Sequence, residues 1–236
     1  MIGFYNYTVI LTYVSLLISV FGMIQAFGGR FRTAIMCLAL SGLCDMFDGK
    51  IARSKKDRTD DEKLFGIQID SLCDVICFGI FPAMICFLIG VRGPLGALFV
   101  GYYCVCSVIR LAYFNVLETR RQAEEDGANK YYHGLPITSM AIILPVIFLL
   151  QSFLPEIVFI IILDFVLFIV GTLFIVDFKL RKPNNIALFF IVAVVAAAVL
   201  IIVIFSSYNV PKLRFPEMPL WPVIKKLFGV YYGGQV

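Results

Sequence analysis

The chain is a succession of apolar stretches, each about as long as a bilayer is thick. A spanning helix needs about 20 mostly apolar residues, and seven such stretches follow one another, at approximately 5–27, 31–53, 67–91, 94–118, 136–153, 155–178 and 184–206. Hydrophobic residues make up 61% of the 236 residues and charged ones 15%, with a mean hydropathy of +0.93, outside the range of a soluble globular domain. The expected fold is therefore an all-α integral membrane protein, a polytopic bundle of about 6–8 transmembrane helices. Residues 1–206 form its transmembrane domain, and 207–236, rich in proline and carrying Trp221, form an interfacial C-terminal tail. The first stretch lacks a basic leader and a small-residue cleavage site, so it reads as a retained helix.

Lysine and arginine collect on alternate connections. Arg53, Lys55, Lys56, Arg58 and Lys63 lie between the second and third stretches, Arg120, Arg121 and Lys130 between the fourth and fifth, and Lys179, Arg181 and Lys182 after the sixth. The three short connections on the opposite side offer only Arg30, Arg32 and Arg92, although with seven spans the tail, with Lys212, Arg214, Lys225 and Lys226, would end on that side too. The basic side is expected to be cytoplasmic in a multi-pass protein of the cell membrane. The net charge of +4 suits anionic headgroups and gives no argument for nucleic acid. The seven cysteines (Cys37, Cys44, Cys73, Cys77, Cys86, Cys104 and Cys106) fall inside apolar segments without a matching histidine cluster, as packing thiols do.

Four aspartates break the apolar pattern. Each costs about 2.5–3.5 kcal/mol inside a membrane helix and so calls for a function or a partner. Asp45 and Asp48 stand at i and i+3 near the end of the second stretch, and Asp70 and Asp74 at i and i+4 near the start of the third. Each pair shares a helix face. At about 1.5 Å rise per residue, Asp70 and Asp74 lie roughly 6 and 12 Å below Gly66, and Asp48 and Asp45 roughly 7 and 12 Å below Arg53. The pairs match in depth. Bare carboxylates so placed would repel, whereas one or two divalent cations turn them into a hard-oxygen site, with Mg²⁺ or Mn²⁺ the expected occupant. Mg²⁺ is commonly shared between a few carboxylates and substrate phosphates, which points to a phosphate-bearing substrate. Gly49 and Gly66 leave room for close approach beside the carboxylates.

Asp45, Asp48, Gly49, Ala52 and Arg53, followed by Gly66, Asp70 and Asp74, resemble the signature of the CDP-alcohol phosphotransferases, D-x2-D-G-x2-A-R, a spacer, then G-x3-D-x3-D. Between Arg and Gly the family pattern has about eight residues, whereas this chain has twelve, Ser54 to Phe65, expected to form an enlarged hydrophilic loop. The resemblance implies that Asp45, Asp48, Asp70 and Asp74 hold two metal ions, with Asp74 also taking the proton from the attacking hydroxyl. It implies that Gly49, Ala52 and Gly66 line the cytidine nucleotide and that Arg53 contacts the diphosphate. The reaction implied is transfer of a phosphatidyl group from CDP-diacylglycerol to an alcohol with release of CMP, at the cytoplasmic face of a homodimer.

The segments D-S-L-C-D-x-x-C-F-G, R-L-A-x-F-N and G-L-P are similar to the bacterial and archaeal phosphatidylserine synthase branch, the likeness running from about residue 4 to residue 180. L-serine is the acceptor this implies. Arg110, Asn115, His133 and Gly134 are the candidate acceptor-binding residues; an intramembrane arginine can meet the serine carboxylate with a bidentate fork. Acceptors bearing phosphate, glycerol 3-phosphate or inositol phosphate, are the alternative within the same reaction. A multi-pass cation transporter is the alternative outside it, although such sites lie near the midplane and often on repeats, neither of which is visible here.

Overall fold

The computed structural model describes residues 3–4, 7–55, 57–123, 131–181 and 185–207. The tail 208–236, Lys56, Lys130 and Lys182 lie outside the described residues, as do the side chains of Ala52 and Arg53. After a 3₁₀ turn at Tyr7–Val9 come α1 (Ile10–Phe27) and α2 (Phe31–Ser54). α3 (Asp60–Asp74) continues through a π-helical segment, Val75–Ile80, into α4 (Phe81–Ile89), and α5 (Gly93–Ala123) follows. α6 (Met140–Phe148) is extended by 3₁₀ turns at both ends, then come α7 (Glu156–Ile175) and α8 (Asn185–Ser207). Among the described residues, four helical runs are long and apolar enough to cross a membrane: Tyr7–Phe27, Asp60–Ile89, Gly93–Arg120 and Glu156–Ile175. α2 is as long, at 24 residues, but carries Arg32, Asp45, Asp48, Lys50 and Arg53.

Helices dominate because lipid offers no partner for a bare N–H or C=O, so each crossing segment must satisfy its own backbone. Their packing inverts the pattern of a soluble bundle. α1 buries Thr12, Ser15, Ser19, Gly22 and Ala26 and leaves Ile10, Leu17, Phe21 and Ile24 exposed on its outer side. Small residues at the contact bring backbones close, while large apolar ones face lipid. At Gly42 of α2 a Cβ would stand 2.5 Å from the Ala141 Cβ of α6, so only glycine permits that approach. Gly29, at φ +73, turns the chain between α1 and α2 and donates to the Ala26 carbonyl at 2.9 Å. That reversal stacks the two helices antiparallel.

A chain of buried hydroxyls joins α1 to α2: Ser15 and Ser41 are 2.7 Å apart, and Ser19 Oγ donates to Ser41 Oγ at 2.9 Å. The apolar centre lies among α2, α4, α5, α6 and α7, with Leu38, Phe78, Phe81, Tyr103, Leu144 and Leu167 at 0% exposure. All seven cysteines are free, and those of the core pack as apolar side chains.

Three boundaries differ from expectation. The stretch expected as an enlarged loop, Ser54 to Phe65, is largely helix: α2 keeps Ser54, and α3 starts at Asp60 instead of near 67. Its start is fixed by a capping box in which Thr59 Oγ1 accepts from the Glu62 N–H at 3.2 Å and Glu62 Oε2 from the Thr59 N–H at 3.1 Å. Asp60, Asp61 and Glu62 in the first turn suit the positive end of the helix dipole. α5 likewise runs on to Ala123, past the apolar stretch that ends near 118. Finally, a two-stranded antiparallel sheet interrupts the all-helical pattern, β1 (Tyr131–His133) against β2 (Lys179–Arg181), with His133 opposite Lys179.

Candidate active site at one end of the bundle

α2 descends towards the 55–59 connection and α3 climbs away from it, so the two aspartate pairs approach the same end of the bundle from opposite chain directions. One carboxylate oxygen from each of Asp45, Asp70 and Asp74 lies within 4.8 Å of the other two. Asp48 is within hydrogen-bonding reach of Asp70, and Asp45 of Asp74. The shallower carboxylate of one helix thus meets the shallower of the other, and the deeper meets the deeper. Asp48 and Asp74 are 7% and 9% exposed, whereas Asp45 and Asp70 are more open. The cluster is thus more closed around Asp48 and Asp74 than around Asp45 and Asp70. Three hard oxygen donors at such spacing, with Asp48 adjoining Asp70, fit a small oxygen-seeking divalent cation, and no nitrogen or sulfur donor belongs to the group.

Neighbouring helices fix the cluster. Thr12 Oγ1 of α1 donates to Asp48 Oδ2 at 3.4 Å, both groups being buried. Ser71, beside Asp70, donates to Asn115 Oδ1 of α5 at 2.6 Å. Immediately after Asp74 the π-helical segment adds a residue to the turn, and α5 secures it. Tyr103, fully buried, donates its hydroxyl to the Phe78 carbonyl at 2.6 Å. A Cβ on Gly79 would stand 2.7 Å from Ser107 Oγ, so α5 lies directly against this turn. Thr12, Ser71 and Tyr103 were not candidates from the sequence. Buried hydroxyls in apolar helices give no local signal of which carboxylate or carbonyl they will meet.

The remaining candidates divide. Gly49 is exposed on α2 beside Asp48, and Ala52 and Arg53 continue that helix one turn further. Gly66 lies one turn before Asp70 on α3, and its open side is covered by Arg58. Arg110, 5% exposed, donates Nε to the Leu135 carbonyl at 3.0 Å and ties α5 to the segment entering α6. His133 Nδ1 is 2.8 Å from Asp177 Oδ1, across the small sheet. Gly134 has φ +74 and donates to the Phe178 carbonyl at 2.8 Å. A Cβ there would press on the Val176 carbonyl at 3.0 Å, so glycine is needed for packing against the end of α7.

Comparison with known proteins places this geometry in a family. The chain matches the CDP-alcohol phosphatidyltransferase family over residues 5–169. It is similar to the CDP-diacylglycerol–serine O-phosphatidyltransferase of Saccharomyces cerevisiae, 35% identical over 108 residues, which are 44% of this chain and 38% of the relative. It is similar to the archaetidylserine synthase of Methanothermobacter thermautotrophicus, 36% identical over 131 residues, 55% of this chain and 49% of the relative. A CDP-diacylglycerol–serine O-phosphatidyltransferase of Methanocaldococcus jannaschii is 30% identical over 151 residues, 64% of this chain and 65% of the relative. The matched stretches span between 38% and 65% of these relatives' lengths. With the family match covering residues 5–169, including all four aspartates, and the aspartates gathered at one end of a helical membrane bundle, the chain belongs to the CDP-alcohol phosphatidyltransferase family.

Proposed function

We propose that this chain transfers a phosphatidyl group from CDP-diacylglycerol to the hydroxyl of L-serine, giving phosphatidylserine and CMP. The observation that carries the reading is the convergence of Asp45, Asp70 and Asp74 within 4.8 Å at three typed positions of the family signature. The relatives named for serine supply the acceptor.

Asp45, Asp48, Asp70 and Asp74 would hold Mg²⁺ or Mn²⁺, and the bound cations would offset the negative charge that develops on the phosphoryl oxygens. Gly49, Ala52, Gly66 and Arg53 would seat the nucleotide end of the donor above the cluster. Asp74 lies deepest along α3 and would take the proton from the serine hydroxyl as its oxygen bonds to the phosphorus that bears diacylglycerol. The bond from that phosphorus to the bridging oxygen breaks, and CMP leaves with the electron pair. Walling by α1 and α5 keeps water, the competing nucleophile, away from the inner side. Arg110 and Asn115, on the α5 face nearest Ser71 and Leu135, are the groups proposed for the serine carboxylate and amine. His133 and Gly134, which also carry contacts of the small sheet and of the end of α7, are the other residues proposed to line the acceptor. A cytoplasmic setting follows from the charge distribution, since the connections at this end carry most of the lysine and arginine.

The test is release of CMP by the purified protein in lipid, given CDP-diacylglycerol and Mn²⁺ with serine, glycerol 3-phosphate, inositol phosphate or no acceptor. Serine-dependent release supports the proposal. Release with a phosphate-bearing alcohol alone reassigns the acceptor, and metal flux without any release favours transport.

A further inference from the structure

The spacer between Arg53 and Gly66 exceeds the family pattern by about four residues, roughly one turn of helix. In the structure the described residues of this stretch form a corner between α2 and α3. Lys55 Nζ pairs with Glu62 at 3.1 Å, and Thr59 and Glu62 cap the start of α3. Arg58 Nη2 donates to the Glu62 carbonyl at 2.9 Å, which folds the side chain back along the first turns of α3. There the guanidinium rests on Gly66: a Cβ at that position would stand 2.5 Å from Arg58 Nη2. Gly66 and Asp70 are i and i+4, so they share a helix face and lie about 6 Å apart along the axis. The guanidinium therefore sits one turn above Asp70 on the same face of α3, on the side of the cluster towards the chain's 55–59 connection.

From this geometry we infer that Arg58 is a donor-binding residue, its guanidinium meeting the diphosphate of the cytidine nucleotide, and that Gly66 is glycine to seat Arg58 as well as to admit the ligand. The inference rests on the proposed function and adds a residue from the spacer itself. Three features favour it over a purely packing role. A planar guanidinium recognises phosphate oxygens with a fork that lysine cannot reproduce. The Glu62 carbonyl already holds the side chain in place, which lowers the cost of ordering it on binding. The four carboxylates would offset the charge of two divalent ions, so a cation one turn above them supplies positive charge that the cluster itself would lack for a diphosphate.

The experiment is calorimetric binding of CDP to the full chain in nanodiscs with Mn²⁺, alongside steady-state KM values for CDP-diacylglycerol and serine and Mn²⁺ binding followed by electron paramagnetic resonance. Arg58→Ala is expected to weaken CDP binding and raise the donor KM by about tenfold or more, the loss of one charge-assisted hydrogen bond. The serine KM and Mn²⁺ affinity should stay within about twofold. Arg58→Lys should recover only part of the loss. Gly66→Ala should act in the same direction with an unchanged melting temperature, because the guanidinium it displaces is the far end of a flexible side chain. If the alanine variant fails to fold, the lysine variant decides, because Gly66 is itself proposed to line the nucleotide. CDP binding equal to wild type in these variants overturns the inference while leaving the proposed function standing. Parallel loss of Mn²⁺ and CDP shows a merely structural corner and also overturns it. Wild-type protein that binds no CDP overturns both.

Discussion

Tyr103→Phe tests how the π-helical segment behind Asp74 is maintained. The substitution removes one oxygen from a side chain at 0% exposure and leaves the ring in place, so no cavity opens. What is lost is the 2.6 Å bond from its hydroxyl to the Phe78 carbonyl. Hydrogen bonds inside membrane bundles contribute about 0.6 kcal/mol on average and about 1.7 at most, whereas leaving a buried carbonyl unsatisfied costs about 1–3 kcal/mol. The phenylalanine variant should therefore be about 1–2 kcal/mol less stable in reversible detergent unfolding. If the bond keeps the turn after Asp74 in its π register, part of that energy also orients the carboxylate. The Mn²⁺ concentration for half-maximal CMP release should then rise about 3- to 10-fold, since about 1.4 kcal/mol is tenfold in an equilibrium constant. Tyr102→Phe is the matched control. Its hydroxyl bonds Thr172 Oγ1 of α7 at 3.1 Å, away from the π segment, and its loss should lower stability by less than about 1 kcal/mol without moving the Mn²⁺ dependence. Wild-type stability and Mn²⁺ dependence in Tyr103→Phe, or an equal Mn²⁺ shift in both variants, would refute the reasoning.

Asp74→Asn keeps the shape of the side chain and removes the proposed base, so CMP release should fall about 10²- to 10⁴-fold while CDP-diacylglycerol remains bound, as radiolabelled donor retention would report. Stripping divalent ions with EDTA should abolish release, and Mg²⁺ or Mn²⁺ should restore it where Ca²⁺, larger and less demanding in geometry, restores less. Gly42→Leu drives a side chain into Ala141; overpacking of this kind costs about 1–3 kcal/mol and should appear as a lowered melting temperature. Thr59→Ala removes half of the capping box and should cost about 1 kcal/mol in unfolding free energy, with a weaker grip of Arg58 on Glu62 as its functional echo in the donor KM.

How far the site could be read from the sequence follows from which distances a helix fixes by itself. The spacings 45 to 48 and 70 to 74 set both the shared face and the depth of each pair, because rise per residue is constant. The facing of Asp48 with Asp70 and of Asp45 with Asp74 is the three-dimensional form of that arithmetic. Contacts between helices carry no such rule. Thr12 could have bonded a carbonyl of its own helix, and only the close antiparallel packing of α1 on α2, allowed by small residues, turns it towards Asp48. The spacer shows the opposite case, in which a legible local signal lost to a compositional one. Thr59-Asp60-Asp61-Glu62 is a capping box followed by an acidic first turn, a helix start in its own right, yet eight charged residues among the twelve from Ser54 to Phe65 read as a loop. Charge decides whether a segment lies in lipid or in water, not whether it is helical. Once α3 is extended outwards by the cap, Arg58 is brought back over Gly66. The long spacer thereby packs one of its own side chains against α3, one turn before Asp70.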